Sequence, residues 1–305
     1  MSRKIFERNK IRWVHIVQPQ EEDFSYIKSL FNFHPLVIES LVAPTLHPLI
    51  ENYQNHIFLI LHFPLIHRNH EANIALEVDF LMTRDLIITV TYRSCSRLDD
   101  FFERLSADAS LQERVTREHS GLLVYQIIDW LFGPLLHDID FIEEQVTTIE
   151  NKIFEQKVPL LIEEISQARR DILDFKRIIA PLQTVLGLLP AMASAFWDKS
   201  LRPYFVDLLT SESKIRHLIE NHQETIEALH ETHTSLVTSR ISKIIALLTI
   251  FSTIILPLNF VASIWGMNHR FLPLRDGPYD FWLLLGIMAF IALSLTLFFR
   301  RRGWL

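Results

Sequence analysis

Residues 244–265 read IIALLTIFSTIILPLNFVASIW, 22 positions without a charge, and residues 281–299, FWLLLGIMAFIALSLTLFF, add a second uncharged run of 19. At a rise of about 1.5 Å per residue, a helix of either length covers a hydrocarbon core of about 30 Å. Two such runs in succession are rare in soluble cores, so both are expected to cross a membrane. Residues 266–280 alone separate them, which predicts a helical hairpin with both ends on one side. Arg300, Arg301 and Arg302 follow the second run, and Arg240 and Lys243 precede the first. The positive-inside rule then puts both termini in the cytoplasm and the short loop outside. The expected location is the cytoplasmic (inner) membrane, multi-pass.

The remainder has another character. Of the 305 residues 49% are hydrophobic, yet 22% are charged, more than a protein made mostly of spans carries. Residues 1–240 hold 24 Lys and Arg against 34 Asp and Glu, whereas the last 65 hold 6 against 2. The formal charge of −6 therefore averages an acidic body and a basic-flanked anchor. That balance leaves no basic footprint for nucleic acid. Cys95 is the sole cysteine, which excludes a disulfide scaffold. Residues 1–10 are polar and no apolar run follows, an opening unlike a secretory leader.

Three sections are expected: a cytoplasmic α/β domain over 1–120, a helical and stalk region over 121–240, and a transmembrane hairpin with outer loop and basic tail over 241–305. In the first, residues 11–17, 56–62, 76–82 and 86–92 are short β-branched or alternating runs, with helical patterns over 23–33 and 98–108. From Gly121 the strand signal stops, and residues 135–158 and 160–180 show helical spacing broken at Pro159 and Pro181. From Tyr204 to Leu256 there is neither Gly nor Pro. One helix running on to Trp265 would be about 90 Å long and would need partners, copies of itself, to bury its faces. A bend near Ser239 is the alternative. No Gly-rich phosphate loop, nucleophile elbow or zinc-spaced cysteines occur, so neither an enzyme nor an organic cofactor is expected.

Read as a helix, the first span places Ser242, Ile245, Leu248 or Thr249, Ser252, Leu256, Asn259 and Ser263 on one stripe. An amide at mid-membrane needs partners or water, so Asn259 points to a wet cavity or a bundle interior; the alternative is that it satisfies the carbonyl freed by Pro257. One stripe encloses nothing, but a ring of such helices makes a pore. Glu220, Glu224, Glu227 and Glu231 share another face, which is a solvated surface in a lone helix and a cation-concentrating one in a ring. His230 and His233 stand one residue too close for H-E-x-x-H, so zinc catalysis is not expected there.

At the end of the first span stands Trp265-Gly266-Met267-Asn268. In this place it resembles the Gly-Met-Asn signature of the CorA family of divalent-cation (magnesium/cobalt) transporters. The run LLTIFSTIILPLNFVASIWGMN is similar to that family's first span, and HPLVIES from His34, PTLHPLIENYQNHIFLILHFP from Pro44 and RPYFVDLL from Arg202 extend the likeness. The resemblance implies a funnel-shaped homopentamer of α+β class, with an N-terminal α/β cytoplasmic domain, a long stalk helix and two C-terminal transmembrane helices. Gly266, Met267 and Asn268 would form the entrance filter for hydrated Mg2+, the transported ion and also the regulatory one. Asp207 matches an acidic position of the family's intersubunit Mg2+ sensor, with Glu231 as a further candidate cation ligand. Partners are then other copies of the chain, the lipid bilayer and hydrated divalent cations. Trp265, Asn259 and Ser242 replace the usual Tyr, Thr and Asn, and the outer loop has Leu272-Pro273-Leu274 with His269, Arg270 and Arg275 where an acid is common. These departures keep open a Zn2+/Ni2+/Co2+ transporter like the related ZntB branch, where Ile usually replaces the Met. A membrane-anchored cation sensor without transport is the reading of another class.

Overall fold

The computed structural model describes residues 3–65, 74–155, 161–267 and 279–304. The chain divides into two compact units, Met1–His230 and Glu231–Leu305.

The first unit opens with β1 (Arg3–Arg8), β2 (Ile11–Val17), α1 (Glu21–Leu30) and α2 (Pro35–Ser40). β3 (Leu49–Asn52), β4 (Ile57–Leu65), β5 (Ile74–Met82) and β6 (Leu86–Thr91) complete a six-stranded sheet ordered β1-β2-β6-β5-β4-β3. β2 and β6 run parallel and the other neighbours antiparallel. Alternate residues of each strand face opposite sides, and here both sides are covered. Ile57, Leu59, Leu61 and Phe63 of β4 join one core, and Phe58 and Ile60 join the other with Ile27, Val37 and Ile38 of α1 and α2. That is why β4 reads as an almost unbroken apolar run rather than an alternation. Edge strands β1 and β3 bury little, Phe6 being the buried residue of β1, so their sequences carry no strand signal.

One polar cluster sits within the sheet. Glu77 accepts hydrogen bonds from the Thr45 N–H (2.8 Å) and hydroxyl (3.0 Å), which fastens the segment after α2. Asp79, fully buried, accepts from the Tyr92 hydroxyl at 2.8 Å. Burial, then the charge of Glu77, pushes the Asp79 carboxyl well above the usual carboxylate range.

α3 (Ser96–Ala107) and α4 (Ala109–Val115) lead to α5 (Gly121–Phe154), α6 (Leu161–Ile179) and α7 (Leu182–Phe196), then a 3-10 turn (Lys199–Leu201) and α8 (Arg202–Gly266). α5 starts well before the expected residue 135 and passes Pro134, whose lost hydrogen bond is tolerated because Leu131, Phe132 and Leu135 around it are buried. α6 buries Leu161, Ile165, Ala168, Ile172, Phe175 and Ile179, a stripe spaced four and three. α8 is one unbroken helix past Ser239 and Pro257.

The second unit holds the end of α8 and α9 (Asp280–Arg301). Each helix has a single stripe of reduced exposure.

Four stretches among the described residues are long and apolar enough to cross a membrane: Gly121–Phe154, Leu161–Phe196, Lys199–Gly266 and Asp280–Arg301. In the first two, 50% and 39% of the apolar window is buried within the chain; in the last two, 6% and 0%. The former have the protein's own core as their apolar solvent. The latter need one from outside.

Candidate functional site

Ser242, Ile245, Leu248, Thr249, Ser252, Leu256, Asn259 and Ser263 are all exposed in the second unit. They lie on the side of α8 away from the less exposed stripe, as the 100° step per residue requires. Thr249 and Ser252 donate their hydroxyl hydrogens to the carbonyls of Ile245 and Leu248, at 2.8 and 2.9 Å. Asn259 is exposed and does not take up the carbonyl that Pro257 leaves free. α8 ends at Gly266, a methyl group on which would meet nothing within 4 Å. Met267 follows, exposed, its N–H directed to the Ile264 carbonyl at 3.3 Å. Asn268 lies outside the described residues, as do His269, Arg270, Leu272, Pro273, Leu274, Arg275 and Asp276.

A second assembly forms at the start of α8, within the first unit. Gly121, at the first turn of α5, is approached so closely by Trp197 and Leu201 that no side chain fits. Trp197 donates Nε1–H to Ser120 Oγ at 3.0 Å and stacks on Phe205, with centroids 6.0 Å apart. One turn along α5, Tyr125 packs on Tyr204 at 5.1 Å and donates its hydroxyl to Asp207 Oδ2 at 3.0 Å. Asp207 itself is exposed. A further turn along stands Asp129, whose carboxyl is raised above its ordinary range by partial burial and then by the charge of Asp207. Burial, that hydrogen bond and both acids raise Tyr125 as well. The charge of Asp207, whose carboxyl accepts from Tyr125, thus reaches Asp129 on α5.

Asp129 was not expected from the sequence. Its signal was there: it is the single charge between Gly121 and Leu136, four residues after Tyr125 and so on the same helix face. Glu231 is exposed in the second unit, and Glu224 is exposed in the first. Glu220 and Glu227 are taken up within the chain, by Arg216 at 3.6 Å and by Gln223 at 3.0 Å. Among the described residues no three or more His, Cys, Asp or Glu side chains are grouped to hold a metal ion.

Residues 8–301 match the family described as CorA-like Mg2+ transporter protein. The chain is 26% identical to YfjQ of Bacillus subtilis over 96% of its own length and 89% of that protein. It is 23% identical to the cobalt/magnesium transport protein CorA of Thermotoga maritima, over 96% and 83%. The zinc transport protein ZntB of Yersinia enterocolitica matches at 16% identity, over 96% and 88%. The solved structure of the CorA magnesium transporter from Methanocaldococcus jannaschii superposes with a TM-score of 0.84 at 20% identity, covering 98% of this chain and 93% of that one. With an N-terminal α/β domain, a long helix and C-terminal apolar helices in that order, matched over nearly its whole length, the chain belongs to the CorA-like Mg2+ transporter family, whose members are membrane transporters of divalent cations and not enzymes.

Proposed function

We propose that this chain carries divalent cations across the cytoplasmic membrane, Mg2+ first and Co2+ beside it, through a pore shared by five copies. A funnel is formed by the α/β body of residues 1–120, the helical and stalk region of 121–240 and the hairpin of 241–305, both termini being cytoplasmic. The observation that carries this reading is the stripe of α8, whose eight residues lie on the face that the rest of the second unit leaves exposed. Five such stripes around an axis alternate oxygen-bearing rings with aliphatic rings at Ile245, Leu248 and Leu256. Oxygen rings hold hydrated ions, and aliphatic rings gate by dewetting. Mg2+ releases its water reluctantly, so an entrance of Gly266, Met267 and Asn268 works by offering acceptors to the hydrated ion.

Closure follows from the carboxylates of Asp207 on α8 and Asp129 on α5. Intracellular Mg2+ bound by Asp207 and Asp129, with a neighbouring subunit completing the shell, stabilises the closed ring, and ion loss shifts the population toward the open one. Glu231 acts as an electrostatic collector on the inner side.

The test is an ion series on the protein reconstituted in liposomes, comparing Mg2+, Co2+, Ni2+ and Zn2+ influx, with Asn268→Ala alongside. Mg2+ flux that Asn268→Ala abolishes is the expected result. Zn2+ flux with negligible Mg2+ flux makes this a ZntB-type zinc carrier, a reading favoured by the match to ZntB. No flux of any ion, with cations still bound, makes it a sensor. A monomer in mild detergent refutes the shared pore.

A further inference from the structure

The carboxyl end of α9 is closed by a defined turn. Gly303 adopts a left-handed backbone at φ 70°. Its N–H donates to the Arg300 carbonyl at 3.1 Å, and the Trp304 N–H donates to the Phe299 carbonyl at 3.1 Å. This is the Schellman arrangement, which uses glycine because a Cβ is strained at that φ. The apolar contact that accompanies the motif is present too: the Trp304 ring stacks on Phe299 with centroids 6.0 Å apart and planes at 29°. Phe299 is thereby 8% exposed, while Trp304 remains 57% exposed. The Arg302 guanidinium lies over the Phe298 ring at 5.6 Å. Arg300, Arg301 and Arg302, all exposed, thus fan out from a fixed turn rather than a frayed end.

No Asp or Glu occurs between 281 and 305, nor between 232 and 275, so the chain supplies these cations with no carboxylate from either neighbouring segment. We propose that this capped end is a binding site for the phosphate headgroup of an acidic phospholipid on the cytoplasmic face of the membrane. The proposal rests on α9 being a span, which sets the end of its apolar run at headgroup depth. Charge complementarity selects an anionic group, and the planar fork of a guanidinium engages phosphate oxygens two at a time. An indole with one face on apolar carbon and its edge in solvent suits the same depth. Membrane topology by itself needs positive charge and is indifferent to whether Arg or Lys bears it. A headgroup site is not indifferent, and that difference supplies the test.

Full-length protein in mild detergent is titrated with phosphatidylglycerol, phosphatidylcholine and inorganic phosphate, read by melting temperature and by native mass spectrometry of bound lipid. Phosphatidylglycerol is expected to bind about tenfold tighter than phosphatidylcholine, since the arginines distinguish an anionic from a zwitterionic headgroup. Changing Arg300, Arg301 and Arg302 together to Lys keeps the charge and should weaken phosphatidylglycerol binding about fivefold through loss of two-point contact. Trp304→Ala should weaken it as well, through loss of the indole at headgroup depth. Equal binding of the two lipids, or a triple Lys variant that binds like the parent, overturns the proposal. Displacement of lipid by millimolar inorganic phosphate overturns it as well, by making this a free-phosphate site. Protease access to the C-terminus in sealed vesicles reads topology independently, so a failure of the spanning reading is distinguishable from a failure of lipid recognition.

Discussion

Gly121→Ala adds a methyl group where α5 and the start of α8 leave none. The new carbon would press into Leu201 Cδ1 and lie 2.9 Å from Trp197 Cδ2. Leu201 ends in a rotatable group but is itself buried, so it yields only in part. Trp197 cannot yield, because its ring is hydrogen-bonded to Ser120 and stacked on Phe205. Overpacking of a filled site costs about 1–3 kcal/mol, and a fixed ring puts this case in the upper half. The better helix propensity of Ala offsets little at the first residue of a helix, so a net loss of about 2 kcal/mol is expected. For a body of this size that lowers the melting temperature by about 4–8 °C. Differential scanning fluorimetry of the full chain in detergent measures it. The companion is Gly121→Ala with Leu201→Ala, which opens space for the methyl group, so the glycine change should cost about 1 kcal/mol less in that background. Tyr125, Phe205 and Asp207 lie within two turns of the clash, so the Mg2+ concentration that half-stabilises the protein should rise in the single variant. A Gly121→Ala protein that melts with the parent, or loses as much in the Leu201→Ala background, refutes the close-packing argument.

His15 is fully buried, and burial lowers it from 6.5 to about 4 against a partial offset from Asp99. The unfolded chain takes up this proton first, so stability is complete above 6.5 and falls by up to about 3 kcal/mol as pH drops toward 4. Denaturant titrations at several pH values should show that slope, and His15→Gln should remove it. Asp129 behaves oppositely: its raised carboxyl stabilises the fold while protonated, and that contribution is lost as pH rises above the ordinary carboxylate range. Asp129→Asn should flatten that part of the pH profile without Mg2+ and shrink the thermal shift that Mg2+ produces. Unchanged Mg2+ stabilisation in Asp129→Asn would remove this residue from the cation site. Asn259→Leu should leave oligomer size unaltered and cut Mg2+ influx by about tenfold or more, as loss of an oxygen ring in a narrow pore implies.

The two C-terminal apolar helices were legible because each rests on a long run without charge. The strands β2, β4, β5 and β6 were legible because each is rich in buried aliphatic residues. Edge strands β1 and β3 were not, since they contribute backbone hydrogen bonds more than buried side chains. Hydropathy alone does not separate α5 and the α6–α7 stretch from the last two helices, because all four satisfy the same length and apolarity. Burial separates them, and burial is a tertiary quantity. Asp129 escaped notice for a like reason: its meaning depends on Asp207, far along the chain, and no local pattern announces that encounter. The tail escaped because Arg-Arg-Arg-Gly-Trp reads as charge, whereas its order comes from one glycine's backbone angle.

In the pore proposed above, the hydroxyls of Thr249 and Ser252 would set a preference of sign. A hydroxyl whose hydrogen is committed to its own helix turns only lone pairs outward. A wall of such groups repels anions and welcomes cations although it bears no charge. Because it holds no titratable group, its preference is the same at every physiological pH. Because neutral oxygens attract a divalent ion weakly, it does not trap what it admits. Between residues 244 and 265 the sequence places no acid at all, so discrimination by sign need not be bought with a site that binds too tightly to release.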